Sequence, residues 1–112
     1  MADFSIVKQW LERAAKDLEI AQYDIKDSKR AEYVAFNCQQ SAEKYLKAFI
    51  IAHNLKLKYT HDLVNLTRIC SQKDKDFVKL EPYVEELTPF YIESRYPDSM
   101  LGILPKSGQK LP

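Results

Sequence analysis

Apolar residues recur at steps of three and four through the first quarter of the chain. Val7, Leu11, Ala14, Leu18, Ala21 and Ile25 share one face of an α-helix, because each residue advances about 100° around the axis. The spacing predicts an amphipathic helix over residues 4 to 27, flanked on its apolar face by Phe4 and Trp10. Ser28, Lys29 and Arg30 make a polar break. A second long helix is predicted from about Ala31 to Asn54. There Ala35, Cys38, Ala42, Tyr45, Leu46, Phe49 and Ile50 gather on one wide side. The segment NLKLKY separates this helix from a third, predicted from His61 to about Ser71, which buries Leu63, Leu66 and Ile69. Thr60 is a candidate N-cap, since its hydroxyl can accept an unpaired backbone N–H, and Asp62 suits the positive helix end.

After the loop QKDKD, residues 75 to 95 form a fourth helical region with Phe77, Leu80, Tyr83, Val84, Leu87, Phe90 and Tyr91 as core candidates. Pro82 and Pro89 each either open a new segment or kink a longer one. The last stretch, SMLGILPKSGQKLP, has two prolines, both glycines and no helical period. It reads as a loop or tail. The pattern therefore predicts an all-α protein. Residues 1–98 form an antiparallel up-and-down bundle of four main helices, and residues 99–112 form a tail.

Composition narrows the function classes. A chain of 112 residues suits one domain. With 46% hydrophobic and 29% charged residues it reads as a soluble globular chain. A net charge of +1 supplies no global field for nucleic acid, which leaves only a local patch. No stretch approaches the ~18 apolar residues of a membrane span, and MADFSIVKQW does not read as a leader. Cys38 and Cys70 are far apart with no Cys-x-x-Cys pairing, which points to a reduced, cytoplasmic setting. Glycines at 102 and 108 alone exclude dinucleotide and Walker loops, and His53 and His61 lack metal-ligand spacing. No cofactor and no metal is expected.

Three places carry candidate chemistry. In FNCQQSAEKYLK, the residues Phe36, Gln40, Glu43 and Lys47 fall at steps of four, three and four, with Lys44 adjacent. This stripe is either a solvated helix flank or a polar seam facing another helix or a partner subunit. In the second case its amide, carboxylate and amines could hold a phosphate or fix an arginine. Asp17, at the edge of the first helix's apolar face, needs water or a partner, with Lys44, Lys47 and Arg95 as candidates. His61 at a helix start is a weak candidate for a general base; a capping-region histidine is the alternative. The third place is ESRYPD, residues 93 to 98. Arg95 lies between Glu93 and Asp98, close to Tyr83, Tyr91 and Tyr96. It is either the cation at a helix C-terminus that Pro97 stops, or an anion-binding or interface guanidinium.

WLERAAKDL with Ala21, then AFNCQQSAEKYLKAFI, THDLVNL and YIESRYPD, in that order and spacing, resemble the HEPN domain proteins over about residues 5 to 98. The resemblance implies a bundle of antiparallel α-helices that pairs into a homodimer. It also implies a small nucleotidyltransferase protein as partner, in toxin–antitoxin-like pairs, and nucleotide or RNA as possible ligand. Many such proteins are metal-independent ribonucleases whose arginine, near the end of a late helix, is followed a few residues later by a histidine. Arg95 occupies the corresponding region, but Ser99, Met100, Leu101 and Gly102 stand where the histidine belongs. Similar proteins also commonly continue with a further helix after the RYPD-like corner, where this chain has its proline- and glycine-bearing tail. The implied role is a binding homodimer using Arg95, Glu43, Lys44, Lys47, Gln40 and Asp17, with Tyr96 and Asp98 beside the arginine. A ribonuclease with a non-standard site built on His61 and Arg95, and a purely structural dimer module, are the alternatives.

Overall fold

The computed structural model describes residues 2–57 and 60–90. Their architecture is an all-α four-helix bundle: α1 (Phe4–Asp24), α2 (Ala31–Ala52), α3 (Leu63–Ser71) and α4 (Glu81–Leu87). Short 3-10 segments, Ser28–Arg30 and Lys75–Leu80, lead into α2 and α4. No helix among the described residues is long and apolar enough to cross a membrane.

Local chemistry sets the boundaries. Asp3 opens α1 by accepting from the Ser5 amide at 2.9 Å. The helix ends at Asp24, a few residues short of the expected 27. Asp27 then accepts from the Lys29 amide at 3.0 Å, which makes the expected polar break a single 3-10 turn. At the end of α2, Asn54 takes a left-handed φ of 54°. Asn54 N–H donates to the Ile51 carbonyl at 3.2 Å, and Leu55 N–H to the Ile50 carbonyl at 2.9 Å. This paired closure satisfies the last carbonyls and turns Leu55 back onto the core. The cap of α3 is Asp62, not the expected Thr60: its carboxylate accepts from the Val64 amide at 2.9 Å. The Thr60 hydroxyl accepts from the Asp62 amide at 3.0 Å, one step earlier. The expected fourth region is divided, with Pro82 in the first turn of α4, where its missing N–H costs nothing. The expected extension to 95 and the tail at 99–112 lie outside the described residues.

α2 is the central element. One side packs along α1; another meets α3 and α4. The core joins Leu46 and Ile50 of α2 to Leu63, Leu66, Ile69 and Cys70 of α3 and Val84 of α4. On α1 the buried residues are Val7, Ala14 and Ala21. Alanine at 14 and 21 lets α2 approach closely, with Ser41 and Ala48 buried opposite. The Ser41 hydroxyl donates to the Ala14 carbonyl at 2.8 Å across that seam. Leu11, Leu18 and Ile25, expected in the core, are exposed, because α2 takes the small half of the repeat and leaves the large half outside. Tyr45, Leu80 and Tyr83, also expected in the core, are exposed as well.

Candidate functional site

Gln39, Glu43 and Lys47 follow one another at four-residue steps on α2 and so line one side of it. All three are buried, which removes the solvated-flank reading for Glu43 and Lys47 and leaves a seam between helices. Glu43 is the hub. Its Oε2 accepts from Lys47 Nζ at 3.0 Å, and its Oε1 accepts from Gln39 Nε2 at 3.3 Å. His61 Nδ1 lies 3.0 and 3.1 Å from the two oxygens. Gln40 belongs to the network one step out, donating from Nε2 to Gln39 Oε1 at 2.7 Å. On the α1 side, the Lys47 ammonium stands 5.6 Å from the centre of the Trp10 ring, within range of a cation–π attraction. A buried carboxylate is tolerated only when its charge and lone pairs are answered, and here a cation, an amide and an imidazole answer them.

His61 is placed by the caps on either side of it. Thr60 and Asp62 fold the chain into the start of α3 with their own hydrogen bonds, and the imidazole between them turns onto Glu43. A carboxylate on Nδ1 fixes the ring's orientation and, with the proton on that nitrogen, its tautomer. About a third of the His61 side chain reaches solvent, against 7% of the Glu43 side chain.

Two further ion pairs continue along the same edge of the α1–α2 hairpin. Lys44 of α2 pairs with Asp17 of α1, so of the three candidate partners for Asp17 the structure uses Lys44. Asp24, buried at the end of α1, holds Arg30 Nε at 2.9 Å, and that guanidinium lies 4.8 Å from the Tyr33 ring centre. The hydrogen bond that Arg30 donates to Asp24, and then the charge of Asp24, push the Arg30 pKa above its ordinary value. This edge is thus a ladder of cations matched to carboxylates. Lys44 and Lys47, expected as phosphate ligands, both spend their charge inside it.

The structure therefore brings together Glu43, Lys47, Gln40 and His61, and joins Asp17 to Lys44 beside them. Arg95, Tyr96 and Asp98 lie outside the described residues. Gln39, Trp10 and the Asp24–Arg30 pair were not among the expected site residues. Gln39 had a signal: it shares a 4-3-4 spacing with Glu43, Leu46 and Ile50, which places an amide on the core side of α2. Asp24 follows Asp17 by seven residues and repeats its position on the helix. Among the described residues no group of three or more His, Cys, Asp or Glu is placed to hold a metal ion.

The model of one protein family, described as the HEPN domain, matches residues 7–103. No curated protein and no solved structure gives a match.

Proposed function

The chain belongs to the HEPN domain family, and from that premise we propose that it is a non-catalytic HEPN module. It works as a homodimer in the cytoplasm and binds a small nucleotidyltransferase protein in a toxin–antitoxin-like pair. The observation that carries this choice of partner over a free nucleotide is the pairing of the lysines. Lys47 is buried on Glu43, and Lys44 is paired with Asp17. A phosphate would have to displace a carboxylate to reach either ammonium, and the new ion pair would gain little over the old one. The exposed apolar side chains of α1 and α2, in contrast, suit contact with protein. Both cysteines are free thiols, in keeping with a reducing compartment.

Co-expression with a minimal nucleotidyltransferase encoded beside this chain tests the reading. The expected result is a complex that survives gel filtration. Titration of ATP and short RNA into the wild type and into Lys44→Ala and Arg95→Ala proteins is expected to give no saturable binding that depends on Lys44. Tight nucleotide binding abolished by Lys44→Ala, with no protein complex, would overturn the proposal.

One observation favours a second reading, a metal-independent ribonuclease with a non-standard site. Glu43 holds the partly exposed His61 as an orienting carboxylate holds a general base. In this reading Arg95 would stabilise the phosphate. Cleavage of a mixed RNA substrate that is lost in both His61→Ala and Arg95→Ala would establish it. No cleavage by the wild type would remove it.

A further inference from the structure

The two edges of the α1–α2 hairpin differ in kind. Trp10, Asp17 and Asp24 recur every seven residues along one edge of α1 and meet Lys47, Lys44 and Arg30. Phe4, Leu11, Leu18 and Ile25 recur every seven residues along the other edge, at 70%, 42%, 37% and 67% exposure. With the buried Val7, Ala14 and Ala21 these residues complete an alternating three-and-four repeat, the pattern of a helix that packs on two neighbours. Among the described residues one neighbour, α2, fills its half. The matching edge of α2 carries the half-buried Ala35, Cys38 and Ala42 and the exposed Tyr45. An apolar groove of about 530 Å³ runs between Leu11 of α1, Ala42, Tyr45 and Phe49 of α2, and Phe77 and Leu80 of the segment leading into α4. Among the described residues nothing covers the exposed α1 stripe.

We infer that a second copy of this chain docks on this face, with its α1 stripe over the α2 edge of the partner and the reverse. The inference rests on the homodimer reading above and names its surface. Self-complementarity is the first argument. Large side chains stand along α1, and small ones, Ala35, Cys38 and Ala42, precede Tyr45 along α2, so a two-fold axis lays each large row against a mostly small one. Two such hairpins complete a four-helix layer. Size is the second argument. α1 has 21 residues, about 30 Å of helix at 1.5 Å per residue, and two adjacent helices make a face about 20 Å wide. Such a face offers roughly 600 Å² per copy, about 1,200 Å² in total, at the lower bound for a specific interface. Charge is the third: at a net +1, copies do not repel each other strongly. An interface of this size is expected to dissociate on dilution.

Sedimentation velocity over a wide concentration range tests it, on the wild type, on a Leu11→Glu/Leu18→Glu double variant, and on Tyr23→Glu, which alters the opposite face of α1. The wild type and Tyr23→Glu are expected to dimerise equally, and the double variant to dimerise at least about tenfold more weakly. A wild type that stays monomeric throughout overturns both the homodimer reading and this face. A double variant that dimerises like the wild type overturns the face and leaves the homodimer standing. A monomeric wild type whose nucleotidyltransferase binding is lost in the double variant assigns the face to that partner and overturns self-docking. Should the double variant lose its helical circular dichroism, hydrogen exchange on the wild type decides. Protection of residues 11–18 and 38–45 that rises with concentration supports the inference; no such rise overturns it.

Discussion

Glu43→Ala is expected to be among the most damaging single changes in this chain, although Glu43 is not one of its hydrophobic core residues. Its side chain is 7% exposed and that of Lys47 9%. Removing the carboxylate leaves a buried ammonium without its ion-pair partner and takes an acceptor from Gln39 and His61 together. Breaking a buried pair from one side costs about 3–5 kcal/mol, because the surviving charge keeps its desolvation penalty and loses its compensation. A domain of this size has only about 5–15 kcal/mol to lose. At about 4–8 °C per kcal/mol, Tm should fall by more than about 10 °C. Replacing both partners by apolar residues of similar shape, Glu43→Leu with Lys47→Met, removes the orphaned charge. It should recover most of the loss, since buried pairs are often replaceable at little net cost. Urea denaturation of Glu43→Leu, Lys47→Met and the double variant gives the coupling directly. A loss below about 1 kcal/mol for Glu43→Ala is what an exposed helix pair would give; that result would refute the buried hub, and so would a double variant no more stable than Glu43→Ala.

The remaining predictions concern packing and titration. Ala14→Leu should destabilise by about 1–3 kcal/mol or more, because Ala14 is fully buried where α1 meets Ser41 of α2; thermal melts against Ala15→Leu, on the exposed side, check it. Ser41→Ala should cost about 1 kcal/mol through the lost bond to the Ala14 carbonyl, read in the same melts. Burial pushes the Cys70 thiol from its ordinary 9.0 up to about 11, so the folded state holds that proton more tightly than the unfolded state does. Its contribution is full below about pH 9 and is lost as pH rises toward about 11. Urea midpoints should therefore fall over that window, and less steeply in Cys70→Ala. The Asp3 carboxyl is held below its ordinary 3.8 by hydrogen bonds from the Ser5 side chain and amide. The cap's stabilisation is therefore present above about pH 4 and lost as pH falls through the lower folded value. A flatter acid limb of stability in Asp3→Ala checks this.

How much of this was legible in the chain differs from element to element. The helix count and α2's limits follow from periodicity, and Leu63, Leu66 and Ile69 are buried as their spacing requires. The face of α1 is legible only as a whole. A three-and-four repeat states that two rows of residues lie close together on the helix, and both rows look apolar. Which row meets the neighbour depends on how near that neighbour can come. Ala14 and Ala21 allow the closer approach, and the hydrogen bond from Ser41 to the Ala14 carbonyl holds it. Leu11 and Leu18 are then left at the rim. The polar hub was half legible. The stripe through Glu43 and Lys47 can be drawn on a helical wheel, but nothing in a wheel states that His61, eighteen residues later, will turn back onto Glu43. That return depends on where Asp62 begins α3, two residues after the Thr60 cap the sequence suggested.

The two edges of the hairpin carry different consequences for binding. On the ladder edge every cation named is matched by a carboxylate of the same chain: Lys47 by Glu43, Lys44 by Asp17, Arg30 by Asp24. Asp17–Lys44 joins α1 to α2, and Asp24–Arg30 ties the end of α1 to the turn before α2, so the edge fixes the register of α1 on α2, but it has little free energy left for a ligand. On the open edge the balance is reversed. Phe4, Leu11, Leu18 and Ile25 still leave part of their apolar surface in water, and each gains about 25 cal/mol for every Å² it later buries. Pairing at one edge holds the rows of the other in fixed alignment, so a partner can bind there without first ordering the hairpin. Weakening the ladder, by Asp17→Ala for example, should therefore weaken association at the opposite edge through loss of alignment alone, with no contact removed from the interface. Sedimentation of Asp17→Ala beside the wild type measures that coupling, and equal dimer affinities for the two proteins would show that the edges act independently.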